Sequence, residues 1–226
     1  MTTRKKGVNT LQNRIKIAKR VAEELSDGDT VNLGVGIPTL IPDYLGDKDV
    51  ELHSENGLLG IGPTPNEEDI NMDLISASKK PITMANGAAL FDSSDSFVMI
   101  RGGHIDLAVM GALQIDKYGE LANWAIPGKD ILGVGGAMDL VAGANKIIIA
   151  SMHQAKDGSS KLVDELSFPS SGNGKADMLV TEHAVFKFTE NGAELVEQLS
   201  NLSINQLKEI TDAPFSYNNQ SLKQNI

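Results

Sequence analysis

Short apolar runs bounded by glycine or polar residues constrain this chain more than any other feature. "TVNLGV" at 30–35, "DVELHSENG" at 49–57 and "ANKIIIAS" at 144–151 each carry a few apolar residues and then stop. "SFVMIRGGHIDLAVMGAL" at 96–113 holds two such pieces, broken by Gly102-Gly103, and "KPITMANGAAL" at 80–90 holds another short strand. The run "KIIIA" has no alternating polar residue, so it reads as a strand buried on both faces. Such strands alternating with helical or glycine-rich segments predict an α/β domain with a largely parallel sheet.

The pieces between the strands fit that reading. In "TLQNRIKIAKRVAEEL" (10–25), Leu11, Ile15, Ala18, Ala22 and Leu25 are spaced four and three apart, one stripe of a helix. Thr10 is its expected N-cap, and Gly28 lies just past its end. Pro38 is suited to open a helix as a first-turn residue. "EDINMDLISASKK" and "SSDSFVMI" supply polar, partly helical connections. "SINQLKEITD" (203–212) begins with a Ser-x-x-Gln capping box and predicts a short helix. The interval 157–175 reads as a surface excursion, with "KLVDEL" a turn of helix. With no repeat, low-complexity tract or linker, residues 1–226 are expected to form one domain with polar ends frayed at about 1–9 and 217–226.

Charge and residue usage exclude several function classes. The formal net charge is −10, and no Lys/Arg cluster after residue 20 is long enough to make a basic stripe. Aromatics at 4% are too sparse for base stacking, so nucleic acid is not an expected partner. Cysteine is absent, which removes disulfides, thiolate metal sites and a Cys nucleophile. The four histidines show no metal-binding spacing, so no metal is expected. No apolar run reaches the roughly 18–20 residues that span a bilayer, and no apolar segment follows the basic N-terminus as a secretory signal requires. A cytoplasmic protein away from membranes is the expectation.

Three glycine turns are left as candidates. "NLGVGIPT" lacks the third glycine of a dinucleotide fingerprint, with Thr39 in its place; it is either a tight turn or a cradle for a polar group. "GVGGAM" (133–138) is neither that fingerprint nor a P-loop; Gly133, Gly135 and Gly136 serve packing or expose backbone N–H groups to an oxyanion. "SENG" sets Glu55 between Ser54 and Asn56, either a solvated turn carboxylate or a nucleophile that needs no general base because it is already ionised. Ser54 and Asn56 could orient it, and Gly57 lets the turn pass close to a substrate. His104 reads as a base or a backbone-bonded loop residue, and Arg101 as the partner of a buried carboxylate at a strand end. Lys79-Lys80 is one of few places able to attract phosphates.

The order of motifs adds a resemblance. "VNLGVGIPT", "SENGLLGIGP", "IRGGHIDLAVMGALQ", "LANWAIPGK" and "GVGGAMDLV" follow one another, and this series resembles the B (β) subunit of family I coenzyme A transferases, of the 3-oxoacid and butyrate–acetoacetate type, from about residue 12 to about 215. The resemblance implies a three-layer α/β fold, with helices on both faces of an open sheet, and a ping-pong exchange of CoA between two carboxylic acids. It implies that Glu55 is the nucleophile carrying a glutamyl-CoA thioester, with Gly135 and Gly136 as backbone contacts. It further implies that Asn32 and Lys79 contact CoA; Ser54 and Asn56, flanking Glu55, are also expected to bind substrate or CoA. CoA would be a substrate, no cofactor would be tightly held, and a homologous A (α) subunit would complete a higher hetero-oligomer. The expected reaction moves CoA between succinyl-CoA or acetyl-CoA and a short 3-oxoacid such as acetoacetate. Acetate, butyrate or 3-oxoadipate transfer, a hydrolase variant and a non-catalytic CoA-ester module are the alternatives. The chain departs from the family pattern at His53, where relatives often have Gln, at Lys79, where many bacterial relatives have Gly, and in 165–175.

Overall fold

The structure is a computed structural model that describes residues 2–129 and 133–225, with side chains of the first helix described from residue 10 onward. Fourteen strands are found among these residues: β1 (Thr30–Leu33), β2 (Glu51–Ser54), β3 (Leu58–Ile61), β4 (Met84–Leu90), β5 (Leu107–Met110), β6 (Gln114–Asp116) and β7 (Leu121–Ala122), followed by β8 (Lys146–Ala150), β9 (Leu162–Val163), β10 (Met178–Val180), β11 (Ala184–Thr189), β12 (Gly192–Gln198), β13 (Phe215–Tyr217) and β14 (Lys223–Gln224). The helices are α1 (Thr2–Ala22), α2 (Ser93–Arg101), α3 (Ala137–Gly143) and α4 (Ile204–Glu209).

Strands β2, β1, β5, β8 and β10 lie side by side and parallel, in that order. Antiparallel strands β3 and β4 extend one side, and β11 and β12 the other, giving a mixed, mostly parallel sheet. From β1 the chain steps first to β2 on one side and then to β5 on the other, so the strand order reverses at β1. In open α/β sheets that reversal opens a crevice at the carboxyl ends of the strands. Here the crevice follows Leu33 and Met110, where Gly34 N–H donates to the Val109 carbonyl at 2.8 Å.

Alternation within the strands builds the layers. Ala108 and Met110 face one core with Ile147, Ile149 and Leu179; that core includes Ile100 of α2, Leu140 of α3 and Leu207 of α4. Leu107 and Val109 face the other with Ile148 and Val180, covered by Ile17, Ala18 and Val21 of α1. Helices therefore cover both faces, as the three-layer expectation required. Ser203 and Gln206 form the expected capping box of α4. A 3-10 helix, not an α-helix, occupies Pro38–Tyr44, because Pro42 inside it removes an N–H donor.

Four local expectations are corrected. The helix expected over 10–25 runs from Thr2 to Ala22, so Thr10 lies inside it rather than capping it. Within "KLVDEL", Leu162 and Val163 are buried and form strand β9, parallel to β6, rather than a helical turn. The 157–175 excursion is thus partly core; Ser160 and Ser171 are buried too. In the 217–226 tail, Lys223 and Gln224 pair with β12.

Strand β4 is the outermost strand on its side, and its sequence, "MANGAAL", has no charge and no proline. Six of its seven residues are exposed. At the other side of the fold, Arg20 of α1 is buried and reaches Glu197 of β12 at 2.8 Å, with Glu24 at 3.0 Å on its other side. Removing Glu197 would leave a buried guanidinium half-compensated. We expect Glu197→Ala to lower stability by about 3 kcal/mol in urea denaturation, and a change below about 1 kcal/mol would show that Glu24 suffices.

Candidate active site

Register brings the site together before any side-chain preference acts. Strands β1 and β2 pair in parallel with Asn32 opposite His53, so both side chains leave the same face. Glu55 follows His53 by two residues, the strand period, at the tip of the β2–β3 hairpin. That spacing makes Asn32, His53 and Glu55 neighbours.

The Asn32 side-chain amide is the hub. Its Nδ2 donates to Glu55 Oε2 at 3.2 Å and lies 3.0 Å from His53 Nδ1. His53 Nε2 lies 2.9 Å from Ser96 Oγ on α2, and the Phe91 ring stacks against the imidazole. Asn32, His53 and Ser96 are all buried. Glu55 itself is partly exposed, which a carboxylate must be if substrate is to reach it. Burial holds His53 at a pKa of about 4, below the ordinary 6.5, because its charged form would lose water. Asn32 Oδ1 is buried with no hydrogen-bond partner among the described residues.

The "GVGG" turn meets the carboxylate at one position. A Cβ on Gly136 would lie 3.3 Å from the Glu55 Cγ and 3.3 Å from the Phe97 ring, so glycine lets the turn close on both. Gly135 has φ +59 and open space around it; its glycine answers a backbone need, not crowding. Residues 130–132, just before this turn, lie outside the described residues.

Ser54 and Asn56 act elsewhere than expected. Ser54 Oγ accepts from Ala77 N–H at 2.8 Å, and Asn56 Nδ2 donates to the Ile75 carbonyl at 2.8 Å. Both fasten the 74–82 loop to the hairpin, so Asn32, not its flanking residues, orients Glu55. Gly57 is needed because its φ is +110 and a Cβ there would overlap the Phe91 carbonyl oxygen. The fastened loop carries Lys79, exposed, with its backbone at φ +60, a left-handed conformation uncommon for lysine. A cavity of about 590 Å³ lies beside this loop, lined by Leu33, Leu52, Ile61, Ser54, Ser78 and Lys80 among others. It borders the carboxylate through Ser54 without enclosing it.

Arg101 and His104 stay outside this cluster. Arg101 ends helix α2, not a strand, and its exposed guanidinium pairs with Asp139 of α3 at 2.6 Å. His104 is an exposed loop residue. Among the described residues no group of three or more His, Asp or Glu is placed to hold a metal ion, and no helix is long and apolar enough to cross a membrane. Sequence reasoning missed His53 and Ser96 as site residues; the two-residue spacing of His53 and Glu55 was the available signal, whereas Ser96 carried none.

Known proteins match this fold and motif order closely. Residues 14–209 match the family model for coenzyme A transferase. Over 202 residues the chain is 50% identical to the B subunit of the succinyl-CoA:3-ketoacid coenzyme A transferase of Helicobacter pylori, covering 89% of this chain and 98% of that one. It is 47% identical over 201 residues to the β subunit of the acetate CoA-transferase of Escherichia coli, covering 88% and 92%. Among solved structures, an acyl-CoA transferase apoenzyme from Escherichia coli O157:H7 has the same fold at a TM-score of 0.76 and 24% identity, over 94% of this chain. This chain spans only 43% of that longer one. The chain belongs to the coenzyme A transferase family. Within family I it is of the B-subunit type, one part of a transferase.

Two buried histidines make stability depend on pH. His53 and His153 both have folded pKa values of about 4, mainly through burial, against the ordinary 6.5. Between those values the unfolded chain binds protons that the folded chain refuses. Their contribution is therefore complete above 6.5 and is lost as pH falls toward 4, by at most about 1.4 kcal/mol per histidine per pH unit. Urea midpoints compared at about pH 7 and about pH 5 should fall, and His153→Gln should shrink the fall. An unchanged fall in that variant would contradict the assignment for His153.

Proposed function

We propose that this chain is the catalytic B subunit of an enzyme moving CoA between an acyl-CoA and a short 3-oxoacid through a covalent thioester on Glu55. The observation that carries the reading is a partly exposed carboxylate gripped by a buried amide and closed against Gly136. A solvated turn residue has no use for either partner.

The chemistry needs no metal and no thiol from the protein. Glu55 attacks the thioester carbonyl of succinyl-CoA or acetyl-CoA, and the oxyanion that develops is met by backbone N–H groups of the 135–136 turn. Collapse releases CoA thiolate and leaves an acyl-glutamyl anhydride. The thiolate then attacks the glutamyl carbonyl, forming the enzyme thioester and freeing the first acid as its carboxylate. A second carboxylate, such as acetoacetate, attacks the thioester and the same steps run in reverse. Asn32 serves by donating to one carboxylate oxygen, which leaves the other to attack. CoA is a substrate here and is not retained as a cofactor. Acetate, butyrate or 3-oxoadipate as the acid is the second reading, favoured by the near-equal identity to the acetate-type relative.

The non-reacting part of CoA supplies binding energy for this chemistry. Lys79, exposed on the loop fastened to the Glu55 hairpin, lends positive charge to CoA's phosphates; its left-handed backbone belongs to the turn in which its N–H donates to the Ser76 carbonyl at 2.8 Å. Ser54 and Asn56 contribute through the loop they fasten. A companion A-type subunit completes the enzyme, in keeping with relatives that are themselves B or β subunits of transferases. The uncharged outer edge of β4, next to the Glu55 hairpin, is the surface best suited to it. The resulting hetero-oligomer works in the cytoplasm.

Three outcomes test this reading. Glu55→Ala should cut transferase turnover by about 10³-fold or more. It should also abolish the CoA-sized mass gain seen on the wild-type chain after incubation with succinyl-CoA or acetyl-CoA, with assembly intact. Turnover surviving in that variant would refute the mechanism. Lys79→Gly should raise KM for the acyl-CoA while leaving stability equal or higher by up to about 1 kcal/mol. Ala89→Lys, at an exposed position of β4, should weaken co-purification with the A subunit without changing the chain's own unfolding midpoint.

A further inference from the structure

We infer that His53 is a positioning residue: by accepting one of the two Asn32 amide hydrogens at Nδ1, it fixes the amide so that the other hydrogen meets the Glu55 carboxylate. The inference rests on the reading of Glu55 as nucleophile, and it assigns to His53, which also lines the cavity beside the 74–82 loop, a role exercised through Asn32.

The geometry leaves one consistent set of protons. Asn32 Nδ2 faces two groups, Glu55 Oε2 at 3.2 Å and His53 Nδ1 at 3.0 Å. An ionised carboxylate accepts only, so the amide nitrogen, not its oxygen, must face it. Turning the amide over would set Oδ1 against the carboxylate. With the nitrogen in place, its second hydrogen points at His53 Nδ1, which must then be the unprotonated ring nitrogen. The ring proton lies on Nε2 and is donated to Ser96 Oγ at 2.9 Å. The order of donation runs from His53 to Ser96, and from Asn32 to both His53 and Glu55.

Burial gives this chain of bonds its stiffness. Ser96 sits in helix α2, wholly buried, so it anchors the ring to a rigid element. Phe91 stacks at 6.3 Å between ring centres with planes 16° apart, limiting rotation of the imidazole. Nothing comparable holds the other end of the amide: Asn32 Oδ1 has no partner among the described residues. An amide tethered only through its own Cβ and a carboxylate would be free to turn about its last torsion. His53 supplies the second tether. The neutral ring that this requires agrees with the depressed pKa noted above.

The test separates positioning from packing and from the role of Glu55. His53→Leu keeps an apolar filling but cannot accept a hydrogen bond, and it should lower kcat about 30-fold with KM for the acyl-CoA nearly unchanged. His53→Gln, whose carbonyl can accept from Asn32 while its amide donates to Ser96, should recover most of that loss. If kcat follows the stabilities of the two variants instead, with Leu as active as Gln, the inference is wrong. Ser96→Ala, a smaller change, should lower kcat in the same direction and serves if His53→Leu does not fold. Nitrogen-15 spectra of the histidine-labelled wild-type complex give an answer independent of activity. They should show His53 protonated at Nε2 alone near neutral pH, and a proton on Nδ1 would overturn the inference. A Glu55→Ala variant with full activity would instead remove the nucleophile reading. Inactive Glu55→Ala beside fully active His53→Leu would remove the positioning role only.

Discussion

A strand buried on both faces admits a polar side chain only if the protein meets its hydrogen bonds from within. Strand β1 is such a strand, enclosed between β2 and β5, and Asn32 is its fully buried polar residue. Leaving its amide unpaired would cost roughly 1–3 kcal/mol for each missing bond. The sheet answers by placing His53 directly across the register and Glu55 two residues further on. The same pairing that closes the parallel ladder therefore sets Asn32, His53 and Glu55 together, and the turn at Gly135–Gly136 completes the site from a separate part of the chain. The one amide atom still without a partner, Oδ1, is at the same hub, and a shortfall of bonding at a single buried atom is characteristic of a place kept for function.

Much of this was legible in the sequence because the physics was local. The buried run "KIIIA" could hardly be anything but a central strand, and Ser203 with Gln206 announced a capped helix three residues apart. Glu55 in "SENG" was legible as a candidate from residue type and turn chemistry, and the series of motifs singled out the family. The reading failed where partners come from far along the chain. Ser54 and Asn56 flank Glu55 in sequence, yet their bonds go to Ala77 and Ile75, because a hairpin tip turns successive side chains in different directions. Ser96 lies 43 residues from His53 and no periodicity links them.

Glycine illustrates the same division. Gly57 and Gly135 were both marked by their setting, but for reasons the sequence does not separate. Both have a positive φ, but Gly57 is crowded by the Phe91 carbonyl as well, whereas Gly135 lies in open space. Gly136 differs from both, since the room it leaves is taken by the Glu55 side chain itself. A substitution there would push directly on the reacting group, whereas one at Gly57 would first disturb the hairpin.

The ion pair between Arg20 and Glu197 joins residues 177 positions apart. At a synthesis rate of about 5–20 residues per second, Arg20 leaves the ribosome roughly 10–35 s before its partner exists. During that interval Glu24 alone is there to neutralise the guanidinium, while the apolar face of α1 already has Val31, Leu107, Val109 and Ile148 to pack against. The apolar contacts of the first helix therefore precede its ion pair, which locks a helix already seated on the sheet.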